Sequence, residues 1–143
     1  MGQVRHLLEG KKVSGVVSIA PTAPVLDALR LMAEHGIGAV LVMEGTKLVG
    51  ILSERDYARK VVLLGRTSAT TPVSEIMSHE VVCARPTDDV HQCMQVMTDK
   101  RVRHLPILDH KEVVGLVSIG DLVKAVIDDQ KIELRHLQDY ITS

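Results

Sequence analysis

The fold is decided by residues 102–121, which read VRHLPILDHKEVVGLVSIGD. Two apolar runs flank a polar turn at 109–111, and the second run ends in a serine and an aspartate three residues apart. Residues 37–56, IGAVLVMEGTKLVGILSERD, show the same order of features 65 positions earlier. Two apolar runs joined by a short polar turn predict a β-hairpin in each copy.

The repeat extends beyond the hairpin. Residues 16–62 align with residues 81–127 without a gap, and eleven of these 47 positions are identical. In each copy an apolar stripe at helical spacing precedes the hairpin, beginning at Val25 and at Val90. We therefore predict an α/β fold of two strand–helix–strand–strand–helix units. Because a unit of about fifty residues cannot bury both faces of its sheet alone, we expect the units to pack sheet to sheet about a pseudo-twofold axis.

Three segments lie outside the two repeats. Residues 1–15 are predicted to be an N-terminal lead-in with a short helix, and residues 63–80 a linker. Residues 128–143 are predicted to form a C-terminal helix that is polar apart from aliphatic residues on one side. We expect this helix to dock on its own module or on a second subunit.

Composition excludes several classes of function. The chain has 45% apolar residues, a formal net charge of −1, no Trp, no Phe and two Tyr, so it lacks both the basic footprint and the aromatic platforms of nucleic-acid binders. It has no apolar run long enough for a membrane span and no signal-peptide pattern at its start, which predicts a cytoplasmic protein. Cys83 and Cys93 fall at positions predicted to point inward, so we expect both to be buried and not joined in a disulfide.

These motifs resemble a tandem pair of CBS domains, the regulatory module named after cystathionine β-synthase. The resemblance rests on the order of elements, on VRHLPILD at 102–109, and on the ends VGILSERD (49–56) and VGLVSIGD (114–121), and it covers about residues 12–128. It implies a disc-like module, often dimeric, whose halves bind AMP, ADP, ATP, NAD or S-adenosylmethionine between them. Such modules sense energy or metabolites for an effector, so we expect a homodimer that signals to a separate effector protein.

Each repeat ends in a Ser-x-x-Asp motif, Ser53 with Asp56 and Ser118 with Asp121. A serine at a helix start with an acid three residues later forms a capping box, which stabilises the helix by about 0.5–2 kcal/mol. The same groups suit a nucleotide, since a carboxylate accepts from ribose hydroxyls, and a serine hydroxyl beside open helix N–H groups suits a phosphate. We expect both roles, and the resemblance implies that the two aspartates hold ribose.

The resemblance also implies contacts that cross the two halves. The Asp56 ligand would touch Ile51, Val102 and the 74–82 lead-in, with Arg55, Arg103 and His79 near its phosphates; the alternative for each arginine is a solvated or acid-paired side chain. The Asp121 ligand would touch Leu116, Ile37 and a lead-in at 12–17 that includes Ser14. Gly38 and Gly120 replace the two arginines there, so this cleft is expected to take a less charged ligand or to stay empty.

No constellation of residues indicates an enzyme. The seven histidines show no zinc-ligand spacing, and neither cysteine has a histidine partner motif. Gly36 and Gly38 lack the rest of a dinucleotide-binding fingerprint. We therefore predict a non-enzymatic adenosine-nucleotide sensor with no catalytic cofactor and no metal. The alternative is a ligand-free structural dimerisation module.

Overall fold

The computed structural model describes residues 2–9 and 16–142. The chain divides into two compact units, Val13–Val82 and a second unit of Met1–Lys12 with Cys83–Ser143. The helix that we predicted in the lead-in is α1 (Arg5–Glu9), and it belongs to the second unit. The N-terminal segment is therefore part of the unit that contains the second repeat.

The first unit contains a three-stranded sheet. β1 (Ser18–Ile19) pairs in parallel with β2 (Ala39–Glu44), which pairs antiparallel with β3 (Lys47–Ser53). The helix α2 (Val25–His35) connects β1 to β2. It ends at Gly36, whose φ of 62° lies in the left-handed region that glycine adopts without strain.

The helix that follows β3 has two parts. α3 (Glu54–Tyr57) begins directly after the strand and continues as a π-helical segment, Ala58–Val62. A short 3-10 turn, Val73–Glu75, lies in the segment that we predicted to be a linker, and it contributes to the core. That core contains Val25, Ala28, Met32, Val40, Val42, Leu52, Val61, Val73, Ile76 and Met77.

The second unit repeats the hairpin and both helices. α4 (Val90–Lys100) is capped by Asp89, whose carboxylate accepts hydrogen bonds from two backbone N–H groups of the first turn. The hairpin is formed by β4 (His104–Asp109) and β5 (Glu112–Ser118). α5 (Ile119–Thr142) then runs unbroken, so the C-terminal helix predicted for 128–143 is the continuation of the repeat's last helix. No helix in the described part of the chain is both long and apolar enough to cross a membrane.

The strand predicted at the start of the second repeat is reduced to a single bridge between Ala84 and Ile107. Ala84 is 6% exposed, while its neighbours Cys83 and Arg85 are exposed. Adjacent side chains of extended backbone point to opposite sides, so only one residue of this short stretch faces the core. The prediction that Cys83 is buried was therefore wrong, whereas Cys93, at 3% exposed, is buried as predicted.

Candidate ligand-binding site

The Ser53–Asp56 motif forms a complete capping box. Ser53 is the last residue of β3, and its hydroxyl oxygen accepts a hydrogen bond from the Asp56 N–H at 3.3 Å. In return, Asp56 Oδ2 accepts from the Ser53 N–H at 3.0 Å and from the Ser53 hydroxyl at 3.1 Å. The box fixes the carboxylate at the N-terminus of α3, where the side chain of Asp56 is 16% exposed.

Sequence reasoning missed the cation that lies beside Asp56. Lys60 Nζ is 3.3 Å from Asp56 Oδ1, and it also donates to the Ile76 carbonyl at 3.0 Å. The spacing of four residues from an acid to a lysine on a helix could have indicated this pair. The matching position in the second repeat is Ala125, so this ammonium group has no counterpart there.

Other predicted residues of the first site lie in the same unit. Arg55 is half-buried within the box, and its side chain forms no ion pair with any residue that the structure describes. Ile51 of β3 forms a two-bond bridge with Ser78, with N–O distances of 3.1 and 2.9 Å. His79 follows and is exposed. The 74–82 lead-in therefore pairs, through Ser78, with Ile51 of β3, the strand whose last residue begins the capping box.

The second repeat forms the equivalent box. Asp121 Oδ2 accepts from the Ser118 N–H at 2.8 Å, and the Asp121 N–H donates to the Ser118 hydroxyl oxygen at 3.2 Å. The carbonyl of Arg103 accepts from the Ile119 N–H at 2.9 Å, just as the Gly38 carbonyl accepts from the Glu54 N–H at 3.0 Å in the first unit. Arg103 is exposed, and its backbone borders the Asp121 box within its own unit.

In each unit a segment from outside the hairpin packs directly over a glycine of the second hairpin strand, Gly50 of β3 or Gly115 of β5. A Cβ placed on Gly50 would lie 2.6 Å from Met77 Sδ, and one on Gly115 would lie 2.5 Å from Leu8 Cδ2. Leu116, the residue of β5 next to Gly115, is half-buried. The α1 segment therefore has the role in the second unit that the segment around Met77 has in the first.

Some predicted ligand contacts involve residues outside the described ranges or residues of different units. Ser14 lies outside the described residues. The expectations that Val102 and Arg103 join the Asp56 ligand, and that Ile37 and Gly38 join the Asp121 ligand, concern residues of different units and stay predictions.

The cysteines do not form a nucleophilic centre. Burial, and then the charges of Asp88 and Asp89, raise the pKa of the Cys93 thiol to about 11. Partial burial also raises the pKa of the Cys83 thiol. Both thiols are therefore protonated at neutral pH, the form that is a poor nucleophile. Within the described ranges, no group of three or more His, Cys, Asp or Glu side chains could hold a metal ion.

We expect a disulfide reagent such as DTNB to modify one thiol of the native chain at pH 8. Cys83 is exposed and should react slowly, and faster as the pH rises, because its raised pKa leaves little thiolate. Cys93 should react only after unfolding. The absorbance of released thionitrobenzoate measures both steps, and Cys83→Ser should remove the first. A native reaction that persists in Cys83→Ser would show that Cys93 is accessible.

The duplicated hairpins and their Ser-x-x-Asp boxes define a tandem pair of one α/β module. Two stretches of the chain, residues 11–63 and 73–128, match the family model of the CBS domain. The chain belongs to the CBS-domain family, with two CBS domains in tandem.

Relatives and solved structures agree with this assignment. Over 122 residues the chain is 43% identical to the mitochondrial CBS domain-containing protein CBSX3 of Arabidopsis thaliana, covering 82% of the chain but only 59% of that relative. A solved CBS-domain protein from Burkholderia ambifaria is 48% identical with a TM-score of 0.85, covering 90% of this chain and 96% of that one. A CBS domain protein from Pyrobaculum aerophilum, solved in complex with AMP, has a TM-score of 0.74 with 83% and 88% covered; its 24% identity shows a shared fold.

Proposed function

We propose that the chain is a regulatory module that binds an adenosine compound at its Ser-x-x-Asp boxes and transmits the bound state to a separate effector protein. The observation that carries the proposal is the arrangement at Asp56, where a fixed, partly exposed carboxylate lies between the Ser53 hydroxyl and Lys60, with Arg55 in the same turn. The AMP complex of the Pyrobaculum aerophilum protein supports the ligand class.

The capping box does not use up the carboxylate. A carboxylate has two oxygens with about four lone-pair sites, and the box engages Oδ2 only. Oδ1 faces the ammonium of Lys60, which is itself 43% exposed and can move. Two ribose hydroxyls can therefore donate to Asp56, with each charge-assisted hydrogen bond contributing about 1.5–3 kcal/mol. Capping and sugar binding use the same side chain without excluding each other.

The two repeats differ in charge next to their aspartates. Arg55 and Lys60 of the first repeat correspond to Gly120 and Ala125 of the second. Two cations beside Asp56 favour a ligand with phosphate groups, such as AMP, ADP or ATP. The Asp121 box suits a ligand with less negative charge, such as S-adenosylmethionine. The alternative is that this second box binds no ligand.

Regulation follows from binding only if the ligand prefers one of two shapes of the module. A ligand shifts a conformational equilibrium by its difference in affinity for the two states and by nothing else. The effector is then a protein that recognises the favoured shape.

Thermal unfolding with a panel of adenosine compounds tests the proposal. At a ligand concentration of about 100 times Kd, binding should stabilise the native chain by about 2.7 kcal/mol. For a chain of this size, that corresponds to a rise in Tm of roughly 5–15 °C. We expect a rise with at least one of AMP, ADP, ATP, NAD and S-adenosylmethionine, and a smaller rise with the 2′,3′-dideoxy form of the same compound, which lacks both hydroxyls that Asp56 would bind.

An unchanged Tm with every compound at millimolar concentration would contradict the proposal. It would favour the alternative function, a ligand-free dimerisation module, for which the completeness of both capping boxes is a sufficient reason for the two Ser-x-x-Asp motifs.

A further inference from the structure

The last helix carries an exposed apolar seam along its length. Its members follow a spacing of alternating four and three residues: Val123, Ile127, Gln130, Leu134, Leu137 and Ile141. The five aliphatic members are between 40% and 73% exposed. This spacing keeps the residues on one face of a helix and is the seam pattern of a two-stranded coiled coil.

The last three turns of this helix have little packing within the described part of the chain. Every residue from Lys131 to Thr142 is exposed, so these three turns contact little of the chain that the structure describes. A helical segment of about twelve residues is marginally stable in water by itself. The exposed seam is the face through which packing can stabilise it.

We propose that the seam of α5 pairs with the same seam of a second copy of the chain, with the two helices parallel and in register. The charges that border the seam select this orientation. One flank carries Lys124 and Lys131, and the other carries Glu133. A parallel pair brings the lysine flank of one copy beside the glutamate flank of the other, whereas an antiparallel pair crossing near residue 132 opposes lysine to lysine and glutamate to glutamate.

Gln130 fits the same arrangement. In a parallel pair it faces its own counterpart, and the two side-chain amides can donate to and accept from each other. A single polar residue in an otherwise aliphatic seam fixes the register of two helices. This self-association is independent of the ligand proposal, since it uses no residue of either Ser-x-x-Asp box.

Sedimentation velocity of the full chain over a range of concentrations tests the pairing. Leu137→Glu puts a charge in the seam, and Ile132→Glu is the matched control, because Ile132 lies on the opposite face and is similarly exposed, at 51% against 56%. Both sites are exposed, so both variants should fold. We expect the native chain and Ile132→Glu to dimerise alike, and Leu137→Glu to weaken dimerisation on the order of 100-fold. A monomeric native chain, or equal behaviour of the two variants, would overturn the proposal.

Cysteine cross-linking tests the orientation. In a Cys83→Ser background, Leu134→Cys and Ile141→Cys should each form an intermolecular disulfide under mild oxidation, because equivalent seam positions of a parallel pair lie within disulfide reach. An antiparallel pair can align at most one of these two positions with itself. Cross-linking at one position only, or at neither, would rule out the parallel, in-register pair.

Discussion

Replacing Asp56 with alanine is expected to weaken the binding of an adenosine phosphate at least about 100-fold, because two charge-assisted hydrogen bonds to ribose are lost. The change also removes one of the two acceptors of the capping box, the carboxylate, and with it the partner of Lys60. The unfolding free energy should therefore fall as well, by about 0.5–2 kcal/mol for the box and less than about 1 kcal/mol for the partly exposed ion pair. Isothermal titration calorimetry and urea unfolding measure the two effects separately.

Asp89→Ala is the matched control for this experiment. Asp89 caps α4 by accepting from the His91 N–H at 2.8 Å and the Gln92 N–H at 3.2 Å, and it belongs to neither Ser-x-x-Asp box. It should show a similar loss of stability with unchanged ligand affinity. If Asp56→Ala loses stability but keeps its affinity, the carboxylate is a helix cap only.

The ligand affinities of Asp121→Ala and Lys60→Met show which repeat binds the ligand. Asp121→Ala should leave the binding site of the first repeat intact. Lys60→Met removes the ammonium next to Asp56 and should weaken ATP more than adenosine, since only ATP carries phosphate charge. Equal losses for the two ligands would contradict the charge assignment of the first repeat.

Gly50→Ala is expected to destabilise the first unit by about 1–3 kcal/mol. The added methyl group would lie 2.6 Å from Met77 Sδ and 3.0 Å from the Ser78 carbonyl oxygen. The methionine side chain can move, but the carbonyl is held by the bridge between Ile51 and Ser78, so the lead-in must separate from β3. The midpoint of urea unfolding measures the loss.

Gly120→Ala provides the control for this substitution. A Cβ on Gly120, in the first turn of α5, would lie 3.6 Å from the Ser118 hydroxyl oxygen, which is an ordinary van der Waals distance. Replacing a helical glycine by alanine should stabilise the chain by about 0.4–1 kcal/mol. Equal midpoints for the two variants would show that the lead-in does not press against Gly50.

The duplicated pattern made much of this structure predictable. The hairpins and the two boxes follow from local spacing, because turn residues, apolar runs and Ser-x-x-Asp motifs act within a few positions of each other. Contacts between residues distant in sequence could not be predicted from such local spacing. Nothing in the residues near Leu8 indicates that it covers Gly115, and nothing near Ile76 indicates that its carbonyl accepts from Lys60.

Two differences between the predicted and the observed elements have local causes. The repeat predicts a strand around Cys83 because residues 16–19 and 81–84 align, yet only Ala84 forms a bridge. In the first repeat the Leu41 N–H donates to the Val17 carbonyl, but the matching residue of the second repeat is Pro106, which has no N–H to donate. The C-terminal helix was predicted as a separate segment because its polar composition differs from that of the repeat. No glycine or proline lies between Ile119 and Thr142 apart from Gly120, so nothing ends the helix at 128.

A crystal structure of the chain, grown with the adenosine compound that raises its Tm most, tests the central claim directly. We predict that the ribose hydroxyls lie within hydrogen-bond distance of the Asp56 or the Asp121 carboxylate. A compound bound elsewhere, with the Asp56 carboxylate contacting only Ser53 and Lys60 and the Asp121 carboxylate accepting no hydrogen bond from the sugar, would contradict the account.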